Sequence, residues 1–273
     1  MISSKTYIVA WDELMTNSLD IDSQLGSAGM DYLVFDVSTE PVSRPNWVIA
    51  EKVRYYGHFY NSLVDFAKTE HEVFVFNAGD AFSTDHPGFT NRVEKMMEKD
   101  DSIWMMASHI VNDGGTGTVT MLQMSRKYPN HSLTIHLNGI WVALRRELAL
   151  FILNYYEWLL KRGYIDFSRM ITGHCLDTVY AAWTLYNNKK IYRDWSFTMT
   201  TGMTTSYDTS TTHTDCVQIK ENFLEYLNTL GYDSSKVFSI YNAIDDKMHH
   251  YPQSSYPIEK AYPNLENVAE FEF

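Results

Sequence analysis

Val73-Phe74-Val75-Phe76-Asn77-Ala78-Gly79-Asp80-Ala81-Phe82 decides how this chain is read, because an unbroken apolar run ends abruptly on an amide, two small residues and a carboxylate. Continuous apolar runs of this length mark strands buried on both faces, as in parallel sheets flanked by helices. In open sheets of that kind ligands bind outside the carboxyl ends of the strands, so an acid delivered there faces a cation or a hydroxyl. The alternative is a plain strand-to-turn junction in which Asp80 caps the next element. A second run, Asp31-Tyr32-Leu33-Val34-Phe35, ends similarly on Asp36-Val37-Ser38-Thr39-Glu40, and a third, Tyr7-Ile8-Val9-Ala10, ends on Trp11-Asp12. Between the second run and the opening one, Val53, Tyr56, Tyr60, Leu63 and Ala67 recur at helical spacing. The order strand, helix, strand predicts an α/β fold whose strand ends bring Asp12, Asp36 and Asp80 to one edge.

These segments resemble a family. Asp36-Val37-Ser38-Thr39-Glu40 is similar to the Asp-Gly-Ser-Thr-Asp element after the second strand of nucleotide-sugar glycosyltransferases of the A-type fold, particularly their family-two group. Phe76-Asn77-Ala78-Gly79-Asp80 resembles the Asn-Ser-Gly-Asp variant of that family's metal-binding Asp-x-Asp motif. Leu137-Asn138-Gly139-Ile140-Trp141-Val142-Ala143-Leu144-Arg145-Arg146-Glu147 is similar to its acceptor-side strand and following helix start, and Leu176-Asp177 stands where an acidic pair is usual. The resemblance runs from about Tyr7 to about Ile191. It departs at Asn77, which replaces an Asp, at Leu176, which replaces a Glu, and at Asn61, which lacks the adjacent Arg and is expected only to pack within its helix.

The resemblance implies a single Rossmann-like domain, with a mixed, mostly parallel central sheet flanked by helices. Residues 1–220 would form it, the donor half about 1–107 and the acceptor half about 108–220, with 221–273 packing as an extension. It implies donor binding by Trp11, Asp12, Asp36, Ser38, Asn77 and Asp80, and Mn2+ or Mg2+ held by Asp80 with Asn77 and His213. Asp177 would be the catalytic base for an acceptor hydroxyl, or only a helix cap. The donor would be a nucleoside-diphosphate sugar, UDP-linked, and the acceptor a hydroxymethylated pyrimidine in phage DNA or else a saccharide of a surface polymer or glycan. A catalytically inactive sugar-nucleotide-binding protein is the other alternative.

Composition bounds these expectations. The chain of 273 residues is long enough to bury one sizeable core. No run approaches the roughly 18 apolar residues of a membrane span. The start, Met1-Ile2-Ser3-Ser4-Lys5, does not follow a signal-peptide plan, and Cys175 and Cys216 lack paired spacing, so a cytoplasmic location is expected, that of the host if the chain is phage-encoded. A net charge of -12 disfavours unspecific nucleic-acid binding, which depends on neutralising phosphates. Asn112-Asp113-Gly114-Gly115-Thr116-Gly117 lacks the Gly-Lys-Ser/Thr of a phosphate loop and is expected to be the turn of a hairpin between 108–111 and 118–124. Trp11-Asp12-Glu13 stands where a nucleotidyltransferase carries a basic, Gly-rich loop, and no Gly-x-Ser-x-Gly elbow of a serine hydrolase occurs.

Further elements are predicted along the chain. His86-Pro87-Gly88 opens a helix with Phe89, Val93 and Met96 on one face. Another begins near Val142, carries Leu148, Phe151, Ile152, Tyr155 and Leu159 inward, and stops at Gly163. A third starts near Asp177. Nine of 17 residues from Thr198 to Thr214 are Thr, predicting a loop or a lid over bound donor. After Lys220 one helix is expected over Phe223–Leu230, followed by loops.

Overall fold

The computed structural model describes residues 2–51, 55–79, 81–111, 131–134, 137, 141–165, 174–201 and 212–250. The apolar runs form β1 (Ser4–Ala10), β2 (Tyr32–Asp36) and β4 (Val73–Asn77), and α1 (Met15–Ser27), β3 (Trp47–Ile49) and α2 (Tyr55–Phe66) lie between them in the chain. Next come β5 (Ala81–Phe82), α3 (His86–Lys99), β6 (Ile103–Val111), β7 (His131–Thr134), β8 (Trp141–Arg145) and α4 (Arg146–Lys161). The described chain ends with α5 (His174–Tyr186), β9 (Lys190–Thr201), α6 (Thr212–Thr229) and α7 (Ser234–His250).

Nine strands join one sheet in the order β3-β2-β1-β4-β8-β6-β9-β5, with β7 also on β9. Strands β1 to β4, β6 and β9 run one way, and β5, β7 and β8 run the other, so the sheet is mixed and mostly parallel. Strand order reverses direction at β1, which pairs β2 on one side and β4 on the other. That reversal opens a crevice beyond Ala10 and Asn77.

Alternation along β1 and β4 divides the core. Tyr7, Val9, Phe74 and Phe76 face α2, where Phe59 meets Phe76 edge-on at 5.0 Å, and Tyr180 of α5 stacks on Phe59 at 5.9 Å. Ile8 and Ala10 face Ile21 and Leu25 of α1. Register pairs Asn77 with both Ile8 and Trp141, so its amide also lies on the α1 face. His86 and Phe89 of α3 cover Trp141 there, with ring centroids 4.5 and 4.4 Å away. The α3 prediction holds, and Asp85 caps the helix by accepting from the Gly88 N–H at 2.8 Å.

Several boundaries differ from expectation. Helix α4 begins at Arg146, because Trp141–Leu144 is a buried strand filling the gap between β4 and β6; the predicted stop is met, with Gly163 at φ +68°. The 108–111 segment continues β6 as one strand against β9, and 112–130 lies outside the described residues. Thr198–Thr201 belong to β9 and Thr212–Thr214 to α6, so only 202–211 of the Thr-rich segment falls outside the description; branched Thr suits a strand as well as a loop. Helix α6 starts well before Phe223 and spans the 220/221 boundary, and 234–250, expected to be loop, is α7, while 251–273 lies outside the described residues. That helix buries Val237, Tyr241 and Ile244 at spacings of four and three, and Asp233 at its start accepts from the Ser235 and Lys236 N–H groups. The buried residues of α2 include His58, Phe59, Ser62, Leu63 and Phe66, with Tyr60 and Ala67 half-buried and Val53 and the Tyr56 side chain outside the description. Asn61 is exposed and does not pack.

Burial pushes His86 down to about 4, against the opposing pull of Asp20 and Asp85. Between the ordinary value near 6.5 and about 4 the unfolded chain therefore binds a proton that the folded chain refuses. Stability from this group is complete above about pH 6.5 and is lost as pH falls toward 4, by up to about 3 kcal/mol. Urea midpoints measured across that window should fall more steeply for the native chain than for His86→Leu. Parallel pH profiles would refute this account.

Candidate functional site at the carboxyl edge of the sheet

Three strand ends meet at the crevice. After β1 the chain passes through Trp11 into a short turn, Asp12–Leu14. After β2 it folds over itself, because Asp36 gathers the loop: one carboxylate oxygen accepts from the Ser38 N–H at 3.0 Å and its hydroxyl at 2.6 Å, and the other from the Val42 N–H at 2.7 Å. Asp36 is fully buried, so these bonds replace the water it gives up on folding. The loop is tied to β1 by the Val37 N–H on Ala10 O at 3.0 Å, and to the next turn by Asp12, which accepts from the Thr39 N–H at 2.7 Å.

The end of β4 is held still more closely. Asn77 is fully buried, and its amide oxygen accepts from the Gly79 N–H at 2.8 Å, closing a turn over Ala78. Among the described residues its buried Nδ2 has no hydrogen-bond partner. The Trp11 indole N–H donates to Ala78 O at 2.8 Å, and Asn17 of α1 donates to Gly79 O at 2.7 Å. Gly79 has φ +85°, and a Cβ there would stand 1.9 Å from Val9 O. Only glycine permits both the left-handed conformation and the approach of two backbones.

Trp11, Asp12, Asp36, Ser38 and Asn77 are thus brought to one edge through direct bonds to one another's segments. Asp80 lies outside the described residues, as does the side chain of His213, whose backbone falls in α6. Asp177 lies in the first turn of α5, a helix that starts at His174, and so it is not the cap. It is buried, and its charge helps raise the hydroxyl pKa of Tyr156, chiefly an effect of burial, on the α2 face of the sheet. The Tyr156 and Tyr180 hydroxyls share a bond of 2.6 Å.

Among the described residues, no three His, Cys, Asp or Glu side chains gather as a cation site. The Asn77 side chain is a neutral amide whose oxygen accepts from Gly79, so it adds no negative charge for a cation. The described residues alone therefore do not fit a divalent cation.

Two contributors lay beyond sequence reasoning. Asn17 carries no motif, and its role emerges only from bonds to residues 62 and 64 positions away. His58 is fully buried and meets Trp11 edge-on at 5.2 Å, holding the indole whose N–H reaches Ala78. An aromatic-rich stretch such as Tyr55–Tyr60 gives no signal that would single it out.

No protein-family model matches the chain, and no curated protein matches it. Solved structures do. GalNAc-T7, solved with UDP, GalNAc and Mn2+, aligns over 97% of this chain and 55% of its own length, at 10% identity and a TM-score of 0.51. A glycosyltransferase involved in glycosylation of the major capsid of PBCV-1 aligns over 60% of this chain and 70% of its own, at 12% identity and a TM-score of 0.34. A UDP-glucose pyrophosphorylase complexed with UDP-glucose aligns over 90% and 100%, at 11% identity and a TM-score of 0.42. Of these three, GalNAc-T7 alone exceeds a TM-score of 0.5, and at 10% identity the likeness concerns the fold: an α/β domain with a mixed, mostly parallel sheet flanked by helices.

Proposed function

We propose that the chain is a glycosyltransferase that moves a sugar from a nucleoside-diphosphate sugar, UDP-linked, to an acceptor hydroxyl. The observation that carries this reading is the convergence of the Trp11–Asp12, Asp36–Ser38 and Asn77–Gly79 segments at the reversal of strand order, where α/β sheets take up nucleotides. GalNAc-T7, solved with UDP and Mn2+, supports the choice of donor.

Transfer breaks the bond between the anomeric carbon and a diphosphate oxygen, and the pair of electrons leaves with the nucleotide. Donors aimed at that oxygen and a dry crevice lower the barrier. In this proposal the strand-end turns bind the nucleotide, with Asp36 and Asp12 keeping the β2 loop closed beneath it. Asp177 takes the proton of the acceptor hydroxyl. A divalent cation, Mn2+ or Mg2+, would neutralise charge on the leaving group; in the proposal its protein ligand is Asp80.

A hydroxymethylated pyrimidine in phage DNA is the first acceptor to test, and a saccharide of a surface polymer or glycan the second. Purified protein is offered labelled sugar nucleotides with Mn2+ or with EDTA, together with hydroxymethylcytosine duplex DNA or a saccharide panel. The expected result is release of UDP and transfer of label to one acceptor class, abolished in Asp177→Asn while UDP binding persists. Binding without turnover of any donor would leave an inactive binding protein, and absence of binding would end the proposal.

A further inference from the structure

We propose that Asn17 is a positioning residue for the turn at the end of β4, a role that rests on the transferase reading only for its catalytic consequence. Asparagine is a poor choice for a buried position inside a helix, where it lowers helix propensity and brings a polar amide out of water. Asn17 is 7% exposed. Its Nδ2 donates to Gly79 O at 2.7 Å and to Ala81 O at 3.3 Å, the two carbonyls that flank position 80.

A second amide extends the same seam. Gln24 lies seven residues on, two turns along the same face of α1. Its Nε2 donates to Ser83 O at 3.3 Å, and its Oε1 accepts from the His86 N–H at 3.0 Å. Helix α1 thus holds Gly79 and Ala81 through one amide and Ser83 and His86 through the other. The far side of this segment is held by β9, whose Thr201 and Thr200 pair with Ala81 and Phe82. Asn17 is the strap at the crevice, and Gln24 the one away from it.

Displacement of a reacting group by about 1 Å costs up to about a hundredfold in rate. Asn17→Ala should therefore speed backbone hydrogen exchange across residues 79–82 while β6 and β8 stay protected. With UDP-glucose as donor and Mn2+ present, kcat should fall about tenfold or more while the donor KM changes less than about threefold, the pattern of a lost arrangement rather than lost binding. Asn17→Ser, which retains one donor, should lie between, and Gln24→Ala should leave kcat near the native value. Unchanged exchange across 79–82 in Asn17→Ala would overturn the proposal, as would faster exchange with unchanged kcat. Should the native chain turn over no sugar nucleotide, the transferase reading falls by itself. Exchange then still decides whether Asn17 holds the turn.

Discussion

Gly79→Ala should be the most damaging small substitution in the described chain. Its new methyl would stand 1.9 Å from Val9 O and 3.1 Å from Val9 C, main-chain atoms of the central strand that cannot swing aside as a side chain does. Relief requires β1 and β4 to part where Asn77 pairs with Ile8. The residue also holds φ +85°, which costs an alanine about 1–2 kcal/mol by itself. Together these should remove about 3 kcal/mol or more and lower the thermal midpoint by about 10 °C. Gly163 provides the control, because it has φ +68° with nothing within 4 Å of a built Cβ, so its alanine variant should lose only the conformational part. Equal losses in the two variants, measured by thermal unfolding, would refute the steric account. Adding UDP should raise the midpoint of the native chain and of Gly163→Ala, but not that of Gly79→Ala.

The second large effect is expected at Asp80. If this carboxylate stabilises the departing diphosphate through a cation, Asp80→Asn should cut donor turnover by about a hundredfold to a thousandfold, the usual scale for losing one strong electrostatic contact in a transition state. Manganese dependence should vanish with it, while the unfolding midpoint stays close to native. Asp12→Ala is the comparison. Asp12 accepts from Thr39 to hold a loop, so its loss should weaken donor binding more than turnover. Full activity in Asp80→Asn, measured as UDP release, would remove the basis for a metal-assisted mechanism.

Much of the amino-terminal part of the sheet could be read from the chain because its signals are local. Strands β1, β2 and β4 are continuous apolar runs with polar ends, and α3 announces itself through Asp85, Pro87 and a clean stripe of Phe89, Val93 and Met96. The inward face of α2 could not be chosen from sequence, since Phe59 and Tyr60 compete for it and only packing against Phe74 and Phe76 decides. Helix α7 was obscured by a sparse stripe in a polar setting; it depends on burial of Val237, Tyr241 and Ile244 in the shared core. Asp36 was recognisable as a special carboxylate at a strand end. That its oxygens would be taken by Ser38 and Val42 follows from loop geometry, which no spacing rule records.

The pairing of Ala81 and Phe82 with Thr201 and Thr200 carries a lesson about biosynthesis. The ribosome delivers one partner long before the other, and closing so wide a chain loop is entropically slow. A nascent polypeptide that has emerged only as far as β8 owns every residue of the β1, β2 and β4 termini yet lacks the rung that braces the segment after Gly79. The brace is therefore gained late, once β9 has threaded alongside β6, and prematurely terminated products carry the crevice residues without it.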